Sequence, residues 1–153
     1  MSFEAHMQVM GLILPDPPRP AGHFVPAVQI GNLLFVSGQI SAAPGQVLIT
    51  GKLGRDLSLE QGQEAARLAL YNVLAVIRSS LGTLDRIKRI IKLNGWVASA
   101  EGFHRQPQVV DGASMLLEEI FGEAGKHARA AIGVAELPLG ASVELELIVE
   151  VEP

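Results

Sequence analysis

The C-terminal end of the chain alternates between apolar and other side chains, and this pattern constrains the fold more than any other. Every second position from residue 143 onward is apolar: Val143, Leu145, Leu147, Val149 and Val151. The positions between them are Glu144, Glu146, Ile148 and Glu150. Because successive side chains of a β-strand point to opposite faces, this segment predicts a strand with one face in the core and carboxylates on the other. The fold must therefore contain a sheet.

The segment from residue 58 to residue 82 has the pattern of a long helix that would cover such a sheet. Ser58 to Gln61 matches a capping box, in which the serine oxygen meets an early backbone N–H and Gln61 reaches back. Gly82 provides the C-terminal stop. Apolar positions recur every three or four residues: Ala66, Leu70, Val73, Ile77 and Leu81. We predict a helix to about Leu81 with one buried stripe.

The remaining segments complete an α+β pattern. Gly31-Asn32 separates two β-favouring runs, Ala27 to Ile30 and Leu33 to Ser37, and this dipeptide tolerates the positive φ of a tight hairpin turn. The other predicted elements are a strand from Ile87 to Ala98, a second helix from about Val109 to Glu123 and a strand from Ala130 to Ala135. The predicted order is ββ-α-β-α-ββ, a sandwich with two helices on one face of a mixed sheet.

The 153 residues fit one domain, because single cores of about 100 to 150 residues are the commonest size. A proline-rich arm over about residues 1–21 precedes it. Pro15 to Pro20 must be extended, since proline fixes φ and disfavours helix in the residue before it. A short helix from Phe3 to Leu12 and a short strand over Val47 to Ile49 are further expectations.

Composition excludes several classes of function. No apolar run approaches the roughly 20 residues of a membrane span, and the N-terminus lacks a signal-peptide pattern, so we expect a cytoplasmic protein without membrane contact. The absence of cysteine excludes disulfides and thiol chemistry. A net charge of −4 makes nucleic acid an unfavourable partner. An apolar content of 48% hints at surface buried by self-association.

The sequence also offers no conventional cofactor or metal motif. The four histidines lack metal-ligand spacing, and surface or capping roles are expected for them: His6, His23, His104 and His127. No glycine-rich phosphate cradle is present. Ser37-Gly38 lacks the strand-to-helix elbow of a serine nucleophile. We therefore expect neither a metal nor a cofactor.

Arg129 and Glu144 are the remaining candidates for chemistry. They lie fifteen residues apart, which leaves room for two short neighbouring strands and a turn. Arginine suits a small carboxylate ligand because its planar fork donates two parallel hydrogen bonds. A nearby glutamate could position water or move a proton. From spacing alone, an ordinary cross-strand ion pair is the preferred interpretation.

From Gly22 to Val151 the sequence resembles the Rid family of YjgF-like proteins, whose best-known members are enamine/imine deaminases. Two blocks carry the resemblance. The first is Gly31-Asn32-Leu33-Leu34-Phe35-Val36-Ser37-Gly38-Gln39; the second comprises Ala128-Arg129, Leu137-Pro138 and Val143-Glu144-Leu145-Glu146. The resemblance implies a chorismate-mutase-like fold, a homotrimer with three clefts between subunits, and no cofactor.

The resemblance also implies roles for individual residues. Arg129 would bind the carboxylate of a 2-imino or 2-enamino acid, while Glu144 would help to hold the attacking water. Ammonia and a 2-keto acid would leave. Further residues would line the cleft: Phe24, Ser37, Gly38, Ala131 through its backbone, and either Asp111 or Ser114 at the position of the family's asparagine. The two groups of residues would meet across the subunit interface.

The sequence departs from the family pattern in three places. Phe24 stands where tyrosine is usual, Ala130-Ala131 replaces a polar or cysteine pair, and the segment from Glu101 to Gly112 is longer than in typical deaminases. Activity on the usual imino acids is therefore one hypothesis beside two others. The second is a trimeric module that binds small carboxylates without turnover. The third, ranked low because of the acidic charge, is an RNA-cleaving translation inhibitor.

Overall fold

The structure is a computed structural model that describes residues 2–43, 46–47 and 49–153. Its helices are α1 (Phe3–Val9), α2 (Leu59–Leu81) and α3 (Gln106–Phe121). Its strands are β1 (Ala27–Ile30), β2 (Leu33–Val36), β3 (Gln39–Ile40), β4 (Ala42–Ala43), β5 (Gln46–Val47), β6 (Ile87–Ala98), β7 (Ala128–Val134) and β8 (Val143–Val151). The strand predicted over Val47 to Ile49 includes Leu48, which lies outside the described residues.

Six strands form one mixed sheet, and α2 and α3 pack against the same face of it. The strand order is β1-β2-β8-β6-β7, with β3 also paired to β8. Every neighbour of β8 is antiparallel to it, whereas β7 runs parallel to β6 at the edge. The predicted α+β sandwich with two helices on one face is confirmed.

The expectation that the strands of Arg129 and Glu144 are neighbours is wrong. β6 lies between β7 and β8 and pairs with both. The physical reason is the connection: α3 crosses over from β6 and returns the chain to one side of β6 as parallel β7, which leaves the other side to β8. The turn at Leu137 to Gly140 then connects β7 to β8 across β6, so these two strands do not form a hairpin.

Local signals account for the ends of α2. The Ser58 side chain accepts a hydrogen bond from the Gln61 backbone N–H at 3.2 Å, and the Gln61 side chain accepts one from the Ser58 N–H at 2.9 Å. This reciprocal pair is the predicted capping box. At the other end Gly82 takes the left-handed conformation at φ 85°, which glycine adopts without steric cost.

Other predicted boundaries are shifted by two to three residues. α3 starts at Gln106 rather than Val109, because Pro107 fits the first helical turn and extends the helix toward the N-terminus. α3 and α1 end earlier than predicted, and β7 covers Ala128–Val134 instead of residues 130–135. Arg129 therefore lies inside a strand rather than ahead of it.

The core fills the space between the sheet and the two long helices. The largest fully buried side chains are Leu53, Leu70, Leu74, Ile77, Leu84, Ile90, Leu93, Leu117, Leu145 and Leu147. Burial of each such side chain contributes about 1.5–3 kcal/mol. Part of the N-terminal arm joins this core through Met7 and Leu14, which are 2% and 7% exposed. Among the described helices, none combines the length and the apolar character that crossing a membrane requires.

The opposite face of the sheet carries no described helix. It presents the second set of β8 side chains, which are half-buried: Glu144, Glu146, Ile148 and Glu150. Four apolar side chains on this face are 42–66% exposed: Val28, Ile30, Phe35 and Ile132. We call it the free face below.

Candidate functional site

Arg129 points from the edge strand β7 toward the helix layer. Its register partner on β6 is Leu93, a fully buried core residue, so both side chains leave the sheet on the helix side. The guanidinium meets α3 there. Nη1 donates to Asp111 Oδ1 at 2.7 Å and to Ser114 Oγ at 3.1 Å, while Nη2 donates to the Pro107 carbonyl at 3.3 Å.

These contacts fix the guanidinium without using all of it. Arginine has five N–H donors, of which the contacts with α3 use three. The Nε–H and one Nη2–H have no partner among the described residues. The Arg129 side chain is 23% exposed. A ligand carboxylate can therefore accept two hydrogen bonds from a group whose orientation is already set.

Asp111 and Ser114 both contact Arg129, so the geometry does not choose between them. They stand one helical turn apart on α3, a spacing that puts two side chains on the same surface. Asp111 supplies the ion pair and Ser114 a hydroxyl. Of the predicted site residues, Ala131 lies on the same side of β7 as Arg129, in register with buried Gly95.

The histidine at position 127 has a role that the sequence analysis missed. Its Nε2 lies 2.9 Å from Ser114 Oγ, and its Nδ1 lies 2.6 Å from the Gly125 carbonyl oxygen. Because a carbonyl only accepts, Nδ1 carries the hydrogen in this pair. A signal was available: residues 127 and 129 are two positions apart, and such residues share one side of extended chain.

An open pocket of about 370 Å³ lies in front of this cluster. Six residues line it: Asp111, Ser114, Glu118, Lys126, His127 and Arg129. Its charges are mixed, with Arg129 and Lys126 facing two carboxylates. The pocket can accept a small polar ligand with an anionic group. We call these six residues the arginine cluster.

Glu144 belongs to a second group of predicted residues, on the free face. Its register partners are Trp96 on β6 and Ile40 on β3. Burial raises the pKa of the Glu144 carboxyl above its ordinary value, and the nearby charge of Glu146 raises it further. The Glu144 carboxylate has no hydrogen-bond partner among the described residues.

Ser37 and Gly38 stand beside Glu144. A Cβ atom built at position 38 would overlap Glu144 Oε2, so the carboxylate lies directly against the glycine backbone. Ser37 Oγ donates to the Val25 carbonyl at 2.7 Å, which ties the segment next to Phe24 to this place. The Phe24 ring itself is 51% exposed. We call Phe24, Ser37, Gly38 and Glu144 the glutamate cluster.

Within one protomer the two clusters do not meet. Arg129 on β7 is in register with Leu93 on β6, and Leu93 is in register with Leu147 on β8. Leu147 lies three residues from Glu144 along β8. Three residues along the strands and two strand spacings across them separate the Cα atoms by about 14 Å. The side chains also leave opposite faces of the sheet. Any site that uses both clusters therefore needs a second copy of the chain.

Metal binding has no support in the described part of the chain. No group of three or more His, Asp and Glu side chains there is arranged to hold a metal ion. The arginine cluster would also oppose a cation, because Arg129 and Lys126 line it.

Comparisons with known proteins give this geometry a family. Residues 4–151 match the family described as "YjgF/chorismate_mutase-like, putative endoribonuclease". Protein TCP17 from Trypanosoma cruzi is 44% identical over 95% of this chain and 92% of its own length. The 2-iminobutanoate/2-iminopropanoate deaminase of Dermatophagoides farinae is 31% identical, with 90% and 93% covered.

A solved structure agrees closely in fold. The crystal structure of Atu1372, a protein with unknown function from Agrobacterium tumefaciens, superposes with a TM-score of 0.91 at 44% identity. The match covers 98% of this chain and 92% of that one. The family match spans nearly the whole chain and agrees with the fold. The chain therefore belongs to the YjgF/chorismate mutase-like family, as its resemblance to the YjgF-like Rid proteins predicted.

Proposed function

We propose that this protein hydrolyses reactive 2-imino and 2-enamino acids to 2-keto acids and ammonia. The observation that carries the proposal is the state of Arg129: three of its N–H groups are held by α3, and two others are free to meet a carboxylate at an open pocket. The deaminase from Dermatophagoides farinae, similar over nine-tenths of this chain, supports the choice of substrate class.

The chemistry of the substrate explains why no cofactor is required. An iminium carbon is already electrophilic, so the protein has to supply orientation and proton handling. Arg129 would fix the carboxylate, which places the C=N bond next to it. A water held by Glu144 would attack that carbon. The raised pKa of Glu144 makes its carboxylate a stronger base than an exposed glutamate.

The proposal requires assembly, because Arg129 and Glu144 cannot reach one ligand within a single protomer. A homotrimer would place the arginine cluster of one subunit against the glutamate cluster of the next, in three clefts. The free face supports self-association: its four exposed apolar side chains would be buried by a second copy. Phe24 would line the cleft with an apolar ring.

An assay of imine loss tests the function. Generate 2-iminopropanoate or 2-iminobutanoate with an amino-acid oxidase and follow the disappearance of the imine with and without the protein. An imine of similar size without a carboxylate serves as the control substrate. We expect acceleration for the imino acids alone. Equal acceleration of both substrates would show that Arg129 does not select the carboxylate.

A second candidate function is binding of small carboxylates without turnover. The observation that favours it is that the arginine cluster is complete within one protomer, whereas the glutamate cluster lies on the other face. In this case 2-keto acids would raise the Tm of the protein while imine loss stayed at the uncatalysed rate. A Tm that is insensitive to these acids would argue against both functions.

A further inference from the structure

We propose that Ser114 and His127 form a proton-transfer pair for the ligand held by Arg129. The proposal rests on the function proposed above and adds a second proton-handling group to it. Its basis is the chain of hydrogen bonds that runs from the guanidinium to Ser114 Oγ at 3.1 Å and on to His127 Nε2 at 2.9 Å.

The direction of these hydrogen bonds suits proton transfer. The Gly125 carbonyl accepts from His127 Nδ1 at 2.6 Å, so the neutral imidazole presents a free lone pair at Nε2. Ser114 Oγ already accepts from Arg129, and its own hydrogen is therefore directed to that lone pair. In many hydrolases a hydroxyl is activated by an imidazole that a third group orients. Here Ser114 supplies the hydroxyl, His127 the imidazole and the Gly125 carbonyl the orienting group.

The position of Ser114 on the helix strengthens this assignment. A serine in the middle of a helix usually points to solvent or bonds back to its own helix backbone. Ser114 Oγ instead accepts from Arg129 and donates to His127, and both of these residues lie outside α3. Both residues of the pair are partly exposed and line the open pocket. The hydroxyl and the imidazole therefore border the same pocket as Arg129, on the Nη1 side of the guanidinium.

In the proposed reaction the pair carries a proton from the attacking water to the leaving nitrogen. The oxygen of water bonds to the iminium carbon, and the C=N π pair moves to nitrogen. Glu144 accepts a hydrogen bond from one water proton, and the other proton passes to Ser114 Oγ while the serine proton moves to His127 Nε2. The imidazolium then returns a proton through Ser114 to the amine nitrogen. The C–N bond breaks, ammonia leaves with that electron pair, and the hydroxyl forms the keto group as its proton goes to ammonia.

Charged side chains from three elements line the pocket beside His127. From α3 they are Asp111 and Glu118, from the turn before β7 Lys126, and from β7 Arg129. Lys126 pairs with Glu123 at 2.7 Å, and Arg129 pairs with Asp111 at 2.7 Å. If His127 transfers protons, its replacement should change the shape of the pH profile of kcat, which a purely structural role would not do.

The experiment compares kcat and KM for 2-iminopropanoate hydrolysis in Ser114→Ala, Ser114→Thr, His127→Gln and His127→Ala. We expect the Ala and Gln variants to lose kcat on the order of 100-fold with a small change in KM, since positioned acid–base groups contribute that much. Ser114→Thr keeps a hydroxyl and should retain most activity. Imidazole added to His127→Ala should restore turnover in proportion to its neutral form.

Control variants distinguish a failure of this proposal from a failure of the proposed deaminase function. Ser80→Ala changes an exposed serine on α2 and should match the wild type. If Arg129→Ala is inactive while Ser114→Ala and His127→Gln stay within twofold of wild type, the proton-transfer pair is wrong and the deaminase function stands. If the wild type does not accelerate imine loss, both are wrong. Should Ser114→Ala fail to fold, Ser114→Thr and imidazole rescue still decide the outcome.

Discussion

The arginine cluster and the glutamate cluster differ in how much of their geometry one protomer supplies. Arg129 donates three hydrogen bonds to α3, one of which is also an ion pair with Asp111. The Glu144 carboxylate lies against Gly38, and burial raises its pKa. The first cluster is preorganised by its own chain. The second is a half-buried carboxylate without a hydrogen-bond partner among the described residues.

The largest expected effect comes from Arg129→Ala. Two charge-assisted hydrogen bonds to a substrate carboxylate are together worth about 3–6 kcal/mol, so kcat/KM should fall by about 10²–10⁴-fold. Steady-state kinetics of imine loss would measure it. Arg55→Ala is the matched control, since Arg55 is exposed and its side chain pairs, among the described residues, only with its neighbour Asp56. A similar loss in both variants would contradict a specific role for Arg129.

Gly38→Ala should disturb the glutamate cluster with a smaller effect. The added methyl group would displace the Glu144 carboxylate, whose flexible end can move, so kcat should fall by about 10–100-fold with little change in unfolding free energy. Kinetics and chemical denaturation measure the two quantities.

The double variant Gly38→Ala/Glu144→Gln tests whether position 38 acts through Glu144. If it does, the double variant should lose no more activity than Glu144→Gln alone, because the two changes remove the same interaction. Strictly additive losses would show that Gly38 acts in another way.

Asp111→Asn separates ligand binding from the fixing of Arg129. The amide keeps the shape and one hydrogen-bond acceptor but removes the charge that partly neutralises the guanidinium. Exposed ion pairs are worth about 0–1 kcal/mol, so the affinity for a 2-keto acid should rise by up to about fivefold. Isothermal titration calorimetry checks this. Weaker binding would mean that Asp111 contributes mainly by orienting Arg129.

The pH dependence of stability should show the smallest effect. The raised pKa of Glu144 means that the folded state binds its proton more tightly than the unfolded state does. The contribution of the protonated carboxyl to the free energy of unfolding is fully present below pH 4.5, the ordinary pKa of glutamate. It is lost as the pH rises through the higher pKa of the folded state. Glu144→Gln should therefore be relatively more stable than wild type at neutral pH, and equal to it near pH 3. Urea denaturation at both pH values measures the difference.

Predictions from sequence succeeded where the signal is local. The capping box at Ser58, the left-handed stop at Gly82 and the alternation in β8 each depend on neighbouring residues, and the structure contains all three. The start of α3 was misplaced because its N-cap position, Arg105, makes no capping hydrogen bond. The roles of the site residues stay predictions. Their grouping into two clusters could not be read from spacing, since it depends on which strand lies between them.

The sequence by itself determined the two long helices, the longer strands, the buried faces of α2 and β8, and the family motifs that single out Arg129 and Glu144. It did so because periodicity, caps and turn residues act over a few positions of chain. Only the tertiary structure decided that β6 separates β7 from β8, that Arg129 turns to α3 and Glu144 to the free face, and that Ser114 and His127 meet. Those contacts depend on how distant segments pack into one core, and no local pattern encodes them.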